Sequence, residues 1–277
     1  MLAKSAGFAA DLLLLNLEDG IAASKKDLAR TNAVNALRSL DFGVRETVVR
    51  VNSPASEAGR RDLAAIVPCR PDGICLPKIE TPMDIQSADR AVLALETSAG
   101  LAPGALRLHA MIESAAGVLA ARDIAASSKR MASIIFGSAD YCEDVHCLQG
   151  EDRIELLLAL QMIVTGARAA SIDAIDAPCF DIRNPDLLRR EATQARRLGF
   201  DGKSVLHPGQ LAVINEIFNV TPEELDWAGK VLAELENAEN RGRALTTLDG
   251  RLIDNPHRNA AERILQRARL SNRREGL

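Results

Sequence analysis

The chain has 277 residues and a formal net charge of −4 at pH 7, which argues against a broad polyanion-binding surface, so any anionic ligand must be met by local basic groups. It is 47% hydrophobic but only 3% aromatic, so its core must be built from Ala, Leu, Ile and Val, which suits helices packed closely on a sheet. Five cysteines, an odd number scattered through apolar segments, predict reduced thiols in a cytoplasmic protein, and no apolar run reaches the ~18 residues of a membrane span.

From the N-terminus, MLAKSAGFAADLLLL leads into NLEDG without a small-residue cleavage site and reads as part of the fold. Seven short apolar runs then succeed one another as strand candidates: 11–19, 47–52, 73–78, 107–113, 131–140, 171–180 and 202–207. Segments of helical period separate them. SKKDLARTNAVNALRSL has Ser24 as its N-cap, and GEDRIELLLALQMIVTGARAA is expected to be the longest and most apolar helix. NPDLLRREATQARRLG has Asn184 as cap, Pro185 in its first turn and Gly199 as its stop. Strands apolar on both faces predict a parallel sheet covered by helices, hence a closed or nearly closed β/α barrel over residues 1–220. Residues 221–277 leave that rhythm: a helix, then LDGR as the turn between two short strands that end at Asp254 and Pro256, then another helix. This extension reads as a stabilising arm, a lid, or a segment that reaches a neighbouring subunit.

Polar residues recur near the C-terminal ends of the strand candidates, about one βα unit apart: Glu18 and Asp19, Arg50 and Asn52, Lys78, Glu113, Asp140, then Lys203 and His207. In a β/α barrel the loops converge on that rim, and chemistry sits there. Glu113 and Asp140 end adjacent strands and suit a hard divalent cation, which takes one or two carboxylates and keeps water positions open; Glu113 could instead cap the helix that follows. Arg50, flanked by valines, must pair with Glu18 or Asp19 or receive a ligand carboxylate. Lys78 is a rim lysine near an anionic group or a solvated strand end. His207, just before Pro208, reads as a helix cap rather than an acid–base group. Cys75 and Cys179 read as small core residues, and Gly137 permits close backbone approach. His109, His146, His207 and His257 are too dispersed for a zinc site.

Taken together, LLLLNLEDGIAASKKDLAR, VVRVNS, ICLPKIE, LHAMIESAAGV, IIFGSADYCED, LGFDGKSVLHPGQL and LDGRLIDNPHRNAAERIL resemble the HpcH/HpaI aldolase and citrate lyase family, in order and spacing. The nearest likeness is to its citrate lyase β-subunit-like branch, with the malyl-CoA and citramalyl-CoA lyases. The resemblance implies a (β/α)8 TIM barrel of the phosphoenolpyruvate/pyruvate type, and a lyase that cleaves a 3-hydroxyacyl-CoA thioester to an acyl-CoA and an α-keto acid. It also implies that Glu113 and Asp140 hold Mg²⁺, that Arg50 binds keto-acid and enolate oxygens, and that Asp19 supports the pocket. Asp254 would be the acid–base group, supplied by a neighbouring subunit of a trimer or hexamer, and Lys25 and Arg30 would meet the CoA phosphates. Three features depart from the family pattern: no strand and "PG" loop precede the first helix, so the barrel is expected to lack its first strand; Asn16 replaces a carboxylate; and GSAD is less acidic than usual. Two other readings follow: a metal-dependent pyruvate aldolase without CoA, which the RLID segment disfavours, or a non-catalytic citrate lyase-like subunit.

Overall fold

The structure is a computed structural model and describes residues 2–275; Met1 of the N-terminal segment and the last two residues of the extension lie outside it. It divides into two compact units, Met1–Ile217 and Phe218–Leu277. All seven expected strands are present in the first: β1 (Leu12–Asn16), β2 (Glu46–Arg50), β3 (Gly73–Leu76), β4 (Arg107–Ile112), β5 (Met131–Phe136), β6 (Asp173–Asp176) and β7 (Gly202–Lys203). They pair in parallel in chain order, with β1 and β7 at the ends of the order. Consecutive strands become neighbours because a helix returns the chain over the sheet after each one.

The sheet curls. Val48, Cys75, Met111 and Ile135 form one apolar layer, and both Leu12 from β1 and Ile175 from β6 pack against it. Leu14 shares a strand face with Leu12 yet remains 37% exposed, which marks the open side of the curl at the β1 edge. The register sets the rim: Asn16 lies opposite Arg50, and Arg50 opposite Cys75. Polar side chains beyond the apolar layer therefore share the C-terminal end of the sheet.

Local chemistry sets the helices. Asn184 accepts the Leu187 N–H at 3.0 Å, Pro185 follows it, and Gly199 at φ 100° stops the helix Pro185–Leu198. The Ser24 cap is not realised. Residues Ala23–Lys25 form a 3-10 turn, and the helix Lys26–Ser39 begins without a side-chain cap because the turn already supplies its first carbonyls. Nor is the apolar segment after Glu151 the longest helix. Arg153 at φ 55° breaks it, leaving a 3-10 turn and the helix Leu157–Ala169 of 13 residues against 21 in Asn255–Glu275.

Two ion clusters are buried in this unit. Arg130 donates to both oxygens of Glu96 and to Asp89. Arg153 clasps Asp176 with both terminal nitrogens, at 2.9 and 2.6 Å, and Lys203 Nζ lies 2.7 Å from Asp176 and 2.9 Å from Glu191. Lys203, expected on the rim, is thus a buried structural cation, because Asp176 on the paired strand and Glu191 are two internal acids and Arg153 balances only one of them.

The second unit holds the helix Pro222–Glu239, opened by a Thr221–Glu224 capping box, and the antiparallel pair β8 (Thr246–Leu248) and β9 (Arg251–Ile253). Asp249 and Gly250, both at positive φ, make the expected hairpin turn. Ala228, Val231 and Leu235 pack with Ile253 and Ala261 to form its core. No helix among the described residues is long and apolar enough to cross a membrane, and all five cysteines are free thiols.

Candidate active site

Five strand ends build the rim. Glu113 follows β4 and is only 5% exposed. Its Oε1 accepts the Lys78 backbone N–H at 3.0 Å, and its carboxyl lies within hydrogen-bonding reach of Asp140. Helix capping, the competing expectation for Glu113, falls to others: Ser114 accepts the Gly117 N–H, and Asp144 accepts that of Ala115. Gly137 makes room for the carboxylate, since a Cβ there would stand 2.7 Å from Glu113 Oε2. Asp140 sits in the first turn of the helix Ser138–Asp144.

Lys78 adopts φ 52°, an uncommon conformation for a non-glycine residue, and this turns its N–H toward Glu113. Its ammonium stands 3.3 Å from Asp19 and 3.6 Å from Asp140. Both of its expected settings hold together: the side chain is 54% exposed and stands beside anionic groups. Arg50 donates from Nε to Asn16 Oδ1 at 2.8 Å, while its terminal nitrogens make only long contacts: Met111 Sδ at 3.4 Å, the Asp19 carbonyl at 3.4 Å and Glu18 Oε2 at 3.5 Å. Neither Glu18 nor Asp19 pairs with it bidentately, so the outer edge of the guanidinium is available to a ligand carboxylate.

The electrostatics follow from these partners. Burial pushes the Glu113 carboxyl up to about 7; the Lys78 N–H works against that shift and the neighbouring Asp140 adds to it. Burial likewise raises Glu18. Asp19 is desolvated too, but hydrogen bonding and charge from Lys78 outweigh this and hold it below its ordinary value. Two acidic side chains side by side, one of them buried without a cation touching it, are a set of hard oxygen donors, and they fit a divalent cation that keeps several waters. Among the described residues no group of three or more His, Cys, Asp or Glu side chains is placed to hold a metal, so a closed protein cage of the zinc type is not the arrangement here.

The remaining expected residues lie apart from this set. Arg30 donates to Asp62 at 2.7 Å and to Asp27 at 2.6 Å, so two carboxylates already engage its guanidinium. Lys25 is exposed at the end of the 3-10 turn. Asp254 belongs to the second unit, where Oδ1 lies 2.6 Å from His257 Nδ1. His207 caps the turn that follows it, accepting the Gly209 N–H at 3.1 Å. A cavity of about 610 Å3 opens near the N-terminal ends of β2 to β4, between Glu46, Asp72 and Arg107, and shares no residue with the rim set.

The use of Asn16 as the acceptor for Arg50, the left-handed turn at Lys78 and the role of Lys26 are not legible in the sequence. The Lys26 ammonium is held by the Leu17 and Glu18 carbonyls and by Asn52 Oδ1. Only Asn16 left a signal, as an amide where a carboxylate is usual.

The curled parallel β/α sheet is of the TIM-barrel class, and comparison with known proteins makes the chain one of its carbon–carbon lyases. Residues 1–208 match the HpcH/HpaI aldolase/citrate lyase family and residues 154–271 match the C–C bond lyases of the TIM-barrel fold. The chain belongs to the HpcH/HpaI aldolase/citrate lyase family. It is 36% identical to the citrate lyase subunit beta of Escherichia coli K12, over 99% of this chain and 91% of that protein. It is 34% identical to a (3S)-malyl-CoA thioesterase of Cereibacter sphaeroides, over 96% of this chain and 90% of that one. The CitE protein of Mycobacterium tuberculosis, solved in complex with magnesium, acetoacetate and coenzyme A, aligns with a TM-score of 0.74 and 29% identity, over 94% of this chain and 90% of that one.

Proposed function

We propose that this protein is a Mg²⁺-dependent lyase that cleaves a 3-hydroxyacyl thioester of the malyl-CoA, citramalyl-CoA or citryl-thioester type into an acyl thioester and an α-keto acid. The observation that carries the reading is the buried Glu113 carboxyl beside Asp140, with the open edge of Arg50 presented at the same strand ends. Cleavage between the two carbons requires the hydroxyl to lose its proton while the thioester fragment leaves as an enolate. A divalent cation held by Glu113 and Asp140 would polarise the hydroxyl and carboxylate oxygens of the substrate.

Arg50 binds the substrate carboxylate and offers fixed positive charge where negative charge accumulates. Asn16 holds the guanidinium by its Nε, and Lys78 holds Glu113 by its backbone N–H while its ammonium restrains Asp19. Asp254 is assigned the acid–base role, returning a proton to the enolate carbon from a neighbouring subunit of an oligomer. Lys25 stays the candidate for the CoA phosphates; Arg30, engaged by Asp27 and Asp62, is the weaker one. The setting is cytoplasmic, in keeping with five free thiols.

The test is keto-acid release from malyl-CoA and citramalyl-CoA, with and without Mg²⁺. Metal-dependent release supports the lyase. Release of free CoA without keto acid would identify a thioesterase on the same site, and turnover of free hydroxy-keto acids alone would identify an aldolase. A chain that binds Mg²⁺ but turns over no thioester contradicts the proposal.

A further inference from the structure

The helix Ser138–Asp144, which carries Asp140 in its first turn, ends in a closed cap. The chain leaves it through His146, whose φ of 58° is left-handed, and two backbone bonds close around that residue. The His146 N–H donates to the Glu143 carbonyl at 3.2 Å, and the Cys147 N–H donates to the Cys142 carbonyl at 3.0 Å. This pair of bonds is the Schellman arrangement, in which the third residue from the helix end and the residue two past the cap bring their side chains together. Apolar side chains usually meet there. Here both positions are cysteines, and their thiols lie within hydrogen-bonding reach of each other.

The spacing suits a covalent link. With the Cys147 N–H to Cys142 carbonyl bond at 3.0 Å, standard backbone lengths keep the two Cα atoms within about 7 Å, a span that a disulfide bridges without backbone movement. Both side chains are half-buried, and the neighbouring Glu143, Asp144, His146 and Leu148 are exposed, so a small reagent can reach the pair. The other three cysteines are set apart: Cys69 ends the 3-10 turn Val67–Cys69, Cys75 lies inside β3 and Cys179 follows β6, the last two buried.

We propose that Cys142 and Cys147 form a reversible oxidation site, a dithiol that closes to a disulfide by exchange with a low-molecular-weight disulfide of the glutathione type. One thiol loses its proton and its sulfur attacks the small disulfide, whose S–S bond breaks to release the first small thiol. The second thiol then loses its proton and attacks the mixed disulfide, releasing the other small thiol. Two protein thiols are oxidised and one small disulfide is reduced to two thiols. Excess small thiol reverses both steps, and a reducing compartment keeps the pair open. Closure fixes the end of the helix that presents Asp140 and whose Asp144 accepts the Ala115 N–H, two residues past Glu113.

The experiment is incubation of the folded chain with glutathione disulfide, followed by alkylation of the remaining thiols and mass mapping of the peptides. In the wild type the expected product is a cross-link between Cys142 and Cys147, lighter by two hydrogens and free of retained glutathione, that dithiothreitol opens. In C142S and in C147S the remaining thiol should keep one glutathione, because no partner stands beside it to release it. A wild type in which both thiols stay open to alkylation, or in which each carries its own glutathione, overturns the proposal. Loss of two hydrogens in either variant would assign the cross-link to another cysteine and overturn it as well.

Discussion

Two sets of charges within the first unit are built from similar residues and behave oppositely. Asp176 is fully buried, and desolvation alone would raise its pKa, yet Lys203 and Arg153 hold it below its ordinary value. Glu113 is almost as buried, and burial raises its pKa to about 7, because only a backbone N–H opposes the shift and the neighbouring Asp140 adds to it. The first set pairs its own charges and fastens β6 to β7. The second is incomplete in protein terms, and a buried charge left incomplete is what a site needs in order to gain from binding a cation.

Removing Glu113 should give the largest effect on function and the smallest on the fold. Glu113→Gln keeps an acceptor for the Lys78 N–H but removes a metal ligand, so kcat/KM for a cleaved thioester should fall by about a thousandfold or more, with thermal stability retained. Asp176→Asn should invert that pattern. It strips Arg153 and Lys203 of their shared partner, and equilibrium unfolding in urea should register a loss of about 3–5 kcal/mol.

A pH series sharpens the contrast. Glu113 has an ordinary value of 4.5 and is raised to about 7 in the fold, so the fold favours its protonated form. Its contribution to stability is complete below about pH 4.5 and is lost as pH rises through 7, about 3 kcal/mol in all. Melting of the metal-free wild type should therefore decline between pH 5 and 8 more steeply than that of Glu113→Gln, and added Mg²⁺ should remove the difference. Asp176, depressed rather than raised, contributes in the opposite sense, with stability present above its ordinary range and lost in acid. The smallest effect concerns a helix end remote from both sets: Asn184→Ala should cost about 1 kcal/mol in the same urea experiment without altering turnover.

What the sequence reveals divides along the same line. Strands β2 to β5 are legible because their burial on both faces is written into largely apolar runs, and the acids at the strand ends stand out against those runs. Arg153 and Asp176 are not legible as partners. They are joined across β6 and an intervening helix, and the left-handed turn that brings Arg153 inward has no glycine or asparagine to announce it. Lys78 eludes the sequence for the same reason: LPKIE reads as the end of a strand, and only the neighbouring β4 explains why its backbone turns. Ser24 shows the reverse error, a good capping residue whose place is taken by a 3-10 turn.

The most direct measurement is Mg²⁺ binding by calorimetry to the wild type and to Glu113→Gln, each at pH 6 and pH 8. Because a proton must leave Glu113 before the ion binds, wild-type affinity should rise about tenfold between the two conditions, and the variant should show no saturable binding at either. Equal affinity in the two proteins, or a wild-type affinity indifferent to pH, would contradict the assignment of Glu113 and Asp140 as the metal site.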